Sequence, residues 1–160
     1  MKILIKGSKV KITDKILRIV LHRINRRYAH KNLAVYPQLV IHSFDSTGLY
    51  ININGRYENS QLQLVEEFIR QKLPNAKDQI VLDVGANIGN HSVFFSKFFK
   101  KVYSFEPNPI TYEVLKINSK YVTEFKNIEP LNFGLSNFAG ILPFFVNPSN
   151  FGGSSIVSFE

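Results

Sequence analysis

The feature that most constrains this chain is a single uninterrupted stretch, Val81-Leu82-Asp83-Val84-Gly85-Ala86-Asn87-Ile88-Gly89-Asn90. The apolar run Ile80–Val84 reads as a strand covered on both faces, as in a parallel sheet. It passes without a spacer into two glycines, where the backbone can turn sharply and a ligand can approach with no Cβ in the way. A helix is expected directly afterwards, over residues 91–99. Strand, glycine turn and helix in that order form the ligand crevice of an open α/β sheet.

The downstream pattern repeats the alternation. Lys101–Phe105 reads as a second strand, residues 109–121 as a helix behind Pro109, residues 127–133 as a third strand and 141–146 as a further one. The helix from Pro109 offers Ile110, Val114, Leu115 and Ile117 as its apolar face. A βαβαβ order implies a parallel sheet with right-handed crossovers. From residue 79 onward the chain is therefore expected to be α/β and Rossmann-like.

Two segments precede it. Residues 1–31 hold ten Lys or Arg and one acid, Asp14, whereas the remainder holds ten basic and eleven acidic residues, so the net charge of +8 belongs to the N-terminal arm. Asp14 is placed to cap a helix with Leu17, Val20, Leu21, Ile24 and Tyr28 along one stripe, ringed by Arg18, His22, Arg23, Arg26 and Arg27. Such a basic amphipathic helix suits an anionic membrane surface or a partner. The competing and preferred expectation packs the stripe on the chain's own domain. Residues 32–78 read as a prelude: a β-hairpin of residues 39–44 and 49–53 turning at Asp45-Ser46-Thr47-Gly48, then a helix over 59–73 burying Leu62, Val65, Phe68 and Ile69 before Pro74.

Composition excludes several classes. Cysteine is absent, which removes disulfides and thiolate metal sites. No run is apolar enough to span a bilayer, and lysines and arginines interrupt every candidate signal-peptide core, so a cytoplasmic, at most membrane-peripheral, protein is expected. The near-neutral body does not read as a nucleic-acid groove. No spacing of His, Asp and Glu suggests a metal site.

The ligand class follows from charge. Glu106 stands just past the second strand, 23 residues after Asp83, where a carboxylate can accept both hydroxyls of a ribose. A dinucleotide fingerprint would place a glycine where Asp83 stands, and a pyrophosphate would be repelled there. A ligand carrying an ammonium and a sulfonium would be attracted instead, which favours S-adenosylmethionine over NAD or FAD.

On these residues the stretch from residue 80 to about 155 resembles the FkbM family of S-adenosylmethionine-dependent methyltransferases. The likeness is carried by VLDVGANIGNHSVFF (81–95), FEPNP (105–109), NFGLSN (132–137) and GGSS (152–155). The resemblance implies that Asp83, Gly85, Asn87 and Gly89 line the methionine and ribose side of the cofactor and that Glu106 grips the ribose. It sets Asn132, or the turn at 134–136, near the adenine or the site mouth. It also implies a small-molecule or carbohydrate acceptor, methylated on a hydroxyl of a sugar, glycolipid or secondary metabolite. Set against the family's sheet, the strands from residue 80 onward fall short, and an incomplete, C-terminally truncated member is expected.

Methyl transfer asks mainly for positioning and exclusion of water. A hydroxyl acceptor would gain from a general base, and His91 beside the glycine loop is the candidate, although a residue opening a helix more often serves structurally. The GGSS segment reads equally as a mobile loop over the cofactor or as an ordinary connection. Two other readings are a non-catalytic module that binds cofactor or membrane, and a nicotinamide-dependent oxidoreductase, which Asp83 disfavours.

Overall fold

A computed structural model describes residues 12–43, 45–147 and 150–156. Three parallel strands, β1 (Ile80–Val84), β2 (Lys101–Phe105) and β3 (Ile128–Leu131), lie in the order β1-β2-β3. Between them run α4 (Asn90–Phe95) and α5 (Pro109–Tyr121), and ahead of them α1 (Ile12–Leu33), α2 (Ser46–Asn54) and α3 (Asn59–Lys72). The fold is thus α/β with a parallel sheet, compatible with part of a Rossmann-like domain. The bounds of β1, β2 and α5 fall where the sequence puts them, while α4 and β3 are shorter than expected.

Helix α5 shows why its start is legible. Asn108 accepts from the amides of Ile110 and Thr111 at 3.0 and 3.4 Å, and Pro109 occupies the first turn, where its missing N–H is no loss. The buried face differs from the expected one. Leu115 is enclosed, but Thr111, Asn118 and Ser119 share its burial while Ile110 and Ile117 are exposed. In α3, Leu62 and Ile69 join Ala76, Phe94 and Phe99 in the core, with Val65 packed alongside; Phe68 is exposed.

The expected hairpin is replaced. Residues 46–54 form α2, closed by Gly55 in the left-handed region (φ 78°) with its amide on the Ile51 carbonyl at 2.7 Å. Burial at Thr47, Gly48 and Ile51 follows helical spacing, against the alternation that Ile51-Asn52-Ile53-Asn54 presents. Residues 39–42 form no strand. The Asn118 amide takes the place of a partner strand: Val40 donates to its Oδ1 at 2.8 Å, and its Nδ2 donates to the Val40 carbonyl at 2.9 Å. Phe44, the last residue of the expected first strand, lies outside the described residues. Asn118 also donates to the Ile88 carbonyl at 2.7 Å, so one buried side chain ties the prelude to the glycine loop. Asn118→Ala should lower the unfolding free energy by about 2 kcal/mol in a urea titration, because the Val40 amide and two carbonyls, that of Ile88 buried, lose their partner.

Four further expectations are corrected. Helix α1 is already running at Ile12, so Asp14 lies in its first turn and does not cap it. Its stripe at Leu17, Val20, Leu21 and Ile24 is exposed, with Tyr28 half-buried, so among the described residues the stripe is not packed on its own domain. Strand β1 is covered on one face only. Val81 and Asp83 face the helices, whereas Ile80, Leu82 and Val84 are each more than half exposed. Residues 141–146 form no strand, only an isolated antiparallel bridge from Phe145 to Ser155.

Candidate functional site

The site lies at the C-terminal ends of β1 and β2. Gly85 and Ala86 both donate to the Phe105 carbonyl, at 3.0 and 2.9 Å, which ends the β1–β2 ladder and turns the chain away from the sheet. The loop then needs three positive φ angles: Gly85 at 76°, Asn87 at 50° and Gly89 at 90°. Asparagine is among the few non-glycine residues that tolerate this region.

The two loop glycines serve different ends. A Cβ on Gly85 would meet nothing within 4 Å, so this position faces open space, as ligand approach requires. A Cβ on Gly89 would stand 2.7 Å from Leu115 Cδ1. Gly89 is therefore required by the packing of α5 against the loop.

Glu106 is buried, and its two oxygens are each used once. Oε2 accepts from the Asn87 amide at 2.9 Å and Oε1 from the Asn108 amide at 2.8 Å. The carboxylate thereby holds Asn87 in its left-handed conformation and keeps a further lone pair on each oxygen for incoming hydroxyls. Two more polar atoms beside it are buried without a partner among the described residues, Asn87 Oδ1 and Asn108 Nδ2. Open space at Gly85, spare acceptors on Glu106 and an orphaned amide donor and acceptor fit a ribose-bearing ligand.

Asp83 sits one layer deeper than expected. Its Oδ2 accepts from Ser92 Oγ at 2.5 Å, and Ser92 Oγ accepts from Ser104 Oγ at 2.8 Å. Asp83 and Ser104 are register partners on the helix-facing side of the sheet. Burial raises the Asp83 pKa, opposed by the Ser92 hydrogen bonds and by the charge of His91. Burial also raises that of Glu106, opposed by the Asn108 and Asn87 amides, with Asp83 adding to the rise. Carboxyls raised in this way hold protons more readily in the folded chain. Their contribution to stability is present at low pH and is lost as pH rises through the raised values.

Asn132 donates to the Glu106 carbonyl at 2.8 Å and to the Pro107 carbonyl at 3.3 Å, which fixes the turn carrying Glu106. His91 is half-exposed on the first turn of α4, with Nε2 3.2 Å from Glu58 Oε2. Beside it Asn90 clasps the Tyr57 backbone, accepting from its amide and donating to its carbonyl, both at 3.1 Å. The pair bolts α4 to the turn before α3.

Sequence reasoning missed several residues that shape this site. Ser92 and Ser104 are small polar residues inside otherwise apolar elements, a signal present in the sequence. His42 carried none, since its place depends on a distant part of the chain. Its ring stacks on Phe151 (centroids 4.2 Å apart, planes at 26°), and its Nε2 lies 3.4 Å from Thr111 Oγ1. Of the GGSS segment, Gly152 is set against the loop, its Cβ position 2.9 Å from Asn87 Nδ2 and 3.9 Å from Thr47 Oγ1. Among the described residues no three His, Asp or Glu side chains gather as a metal site.

Two curated proteins are similar to this chain. Methyltransferase sdnD of Sordaria araneosa is 35% identical over 82 residues, covering 50% of this chain and 32% of that protein. Hexuronic acid methyltransferase AglP of Haloferax volcanii is 36% identical over 96 residues, covering 59% of this chain and 39% of that protein. No protein-family model matches. The similarity supports a methyltransferase kinship over about half of the chain, and the chain spans about a third to two fifths of the length of these relatives.

Proposed function

We propose that the chain binds S-adenosylmethionine and serves methyl transfer to a hydroxyl of a sugar, glycolipid or secondary metabolite, as a member of the FkbM family. The observation that carries this reading is Glu106 beside the open Gly85 turn, with spare acceptors and the orphaned amide groups of Asn87 and Asn108 around it. The cofactor supplies a methyl group already activated by its sulfonium. This chain's residues do the rest: Glu106 holds the ribose hydroxyls, Asn87 and Asn108 satisfy further polar atoms, and the buried Asp83 gives the site a negative potential toward a cationic ligand. The relatives' names, one of them a hexuronic acid methyltransferase, are in keeping with a carbohydrate acceptor.

In this reading the protein works in the cytoplasm. No helix among the described residues is long and apolar enough to cross a membrane. The exposed stripe of α1, ringed by arginines, is the surface through which it meets a membrane or a partner.

Ionised Glu106 is the better acceptor for ribose hydroxyls. Affinity for S-adenosylhomocysteine should therefore weaken as pH falls through its raised pKa, above the ordinary 4.5. Calorimetric titrations across the acid range check this, and an affinity independent of pH there would remove Glu106 from the site.

A further inference from the structure

A second concavity lies away from Glu106, between the ends of α1 and α2 and the start of α3. It is a cleft of about 650 Å³, and its walls include Lys31, Tyr36, Tyr50, Arg56, Tyr57 and Glu58. The volume is in the range of small-molecule sites.

Its chemistry is selective. Arg56 is half-buried, with its guanidinium 5.0 Å from the ring centroids of both Tyr36 and Phe94. Burial lowers its pKa, opposed by Tyr36 and Glu66, yet among the described residues no carboxylate stands within ion-pair distance of it. Lys31 adds a second cation without an ion pair there. The one acid of the wall, Glu58, is turned to His91. Tyr50 and Tyr57 meet edge to face with centroids 5.9 Å apart, giving the cleft aromatic surface and phenolic hydroxyls together. A partly desolvated guanidinium with no counter-charge binds an anion in its planar fork, and tyrosines flank the apolar faces of a sugar while their hydroxyls meet its polar rim.

The cleft is coupled to the cofactor loop. Tyr57 is the residue clasped by Asn90, and Glu58 the partner of His91, the two residues that follow Gly89. We propose that this cleft binds an anionic sugar, with Arg56 and Lys31 taking its carboxylate or phosphate and the Tyr50–Tyr57 pair packing against its ring. This binding does not rest on the methyl-transfer reading.

The test titrates the full chain with glucuronic acid, glucose 6-phosphate, glucose and inorganic phosphate, followed by saturation-transfer NMR, with S-adenosylhomocysteine titrated in parallel. At least one anionic sugar should bind about tenfold more tightly than glucose and than inorganic phosphate, and Arg56→Ala should remove about tenfold of that affinity. If Arg56→Ala does not fold, Tyr50→Ala, at an exposed ring, should weaken the anionic sugar and leave inorganic phosphate unchanged. Glucose binding as well as its anionic counterparts would overturn the proposal, as would inorganic phosphate matching them, or no binding at all. Sugar binding without S-adenosylhomocysteine binding would sink the methyl-transfer reading alone.

Discussion

Replacing Glu106 by alanine should abolish measurable cofactor binding while leaving the fold intact. The side chain is buried at the mouth of the β2 turn, accepts the Asn87 and Asn108 amides, and has two lone pairs left for a ligand. Two charge-assisted hydrogen bonds to ribose hydroxyls are together worth roughly 2–4 kcal/mol, a loss of about thirty- to a thousandfold in affinity. Loss of Glu106 also frees Asn87 to leave its left-handed conformation (φ 50°), so the loop would be less well prepared for a ligand. Stability should change less, because removing a buried charge offsets part of the lost hydrogen bonding. Calorimetry with S-adenosylhomocysteine and a thermal melt separate the two effects. Unchanged affinity in a folded Glu106→Ala variant would refute the site assignment.

The second large effect should come from Gly89→Ala, and it concerns stability. The new Cβ would lie 2.7 Å from Leu115 Cδ1, and Leu115 is fully enclosed, so its side chain has nowhere to retreat. Overpacking of this kind costs about 1–3 kcal/mol, and a non-glycine residue at φ 90° adds about 1–2 kcal/mol more. A total near 3 kcal/mol should lower the melting temperature by roughly 6–12 °C for a domain of this size. Gly85→Ala is the matched control. Its Cβ enters open space, so only the backbone strain at φ 76° applies, about 1 kcal/mol, while the methyl obstructs the ligand side of the loop. Gly89→Ala should thus cost more stability and Gly85→Ala more affinity. The reverse order would mean that the roles of the two glycines have been exchanged.

The glycine loop and the ends of β1, β2 and α5 were legible because their signals are local. An apolar run meets glycines needing positive φ, and the Asn108 side chain caps the helix that Pro109 opens. Glu106 was legible for the same reason, standing one residue past β2.

What the sequence concealed depends on distant partners. Leu49-Tyr50-Ile51-Asn52-Ile53 alternates like a strand, yet it is helical because Gly55 terminates a helix and Ile51 finds a buried place. Val40 reads as strand, but its backbone partner is an asparagine side chain 78 residues away. Asp83 stands out in the sequence as a candidate, whereas its bond to Ser92 required the register that brings β1 beside β2 and α4 over both. His42 illustrates the limit most simply, since nothing near it in sequence predicts a stack on Phe151.

The most direct test of the account is the affinity of the unmodified chain for S-adenosylhomocysteine compared with NAD, measured by calorimetry near neutral pH. Binding of S-adenosylhomocysteine, with NAD at least about a hundredfold weaker, is the expected result, because Glu106 takes the ribose while Asp83 repels a pyrophosphate and attracts the ligand's ammonium. A folded chain that bound NAD and ignored S-adenosylhomocysteine would contradict it.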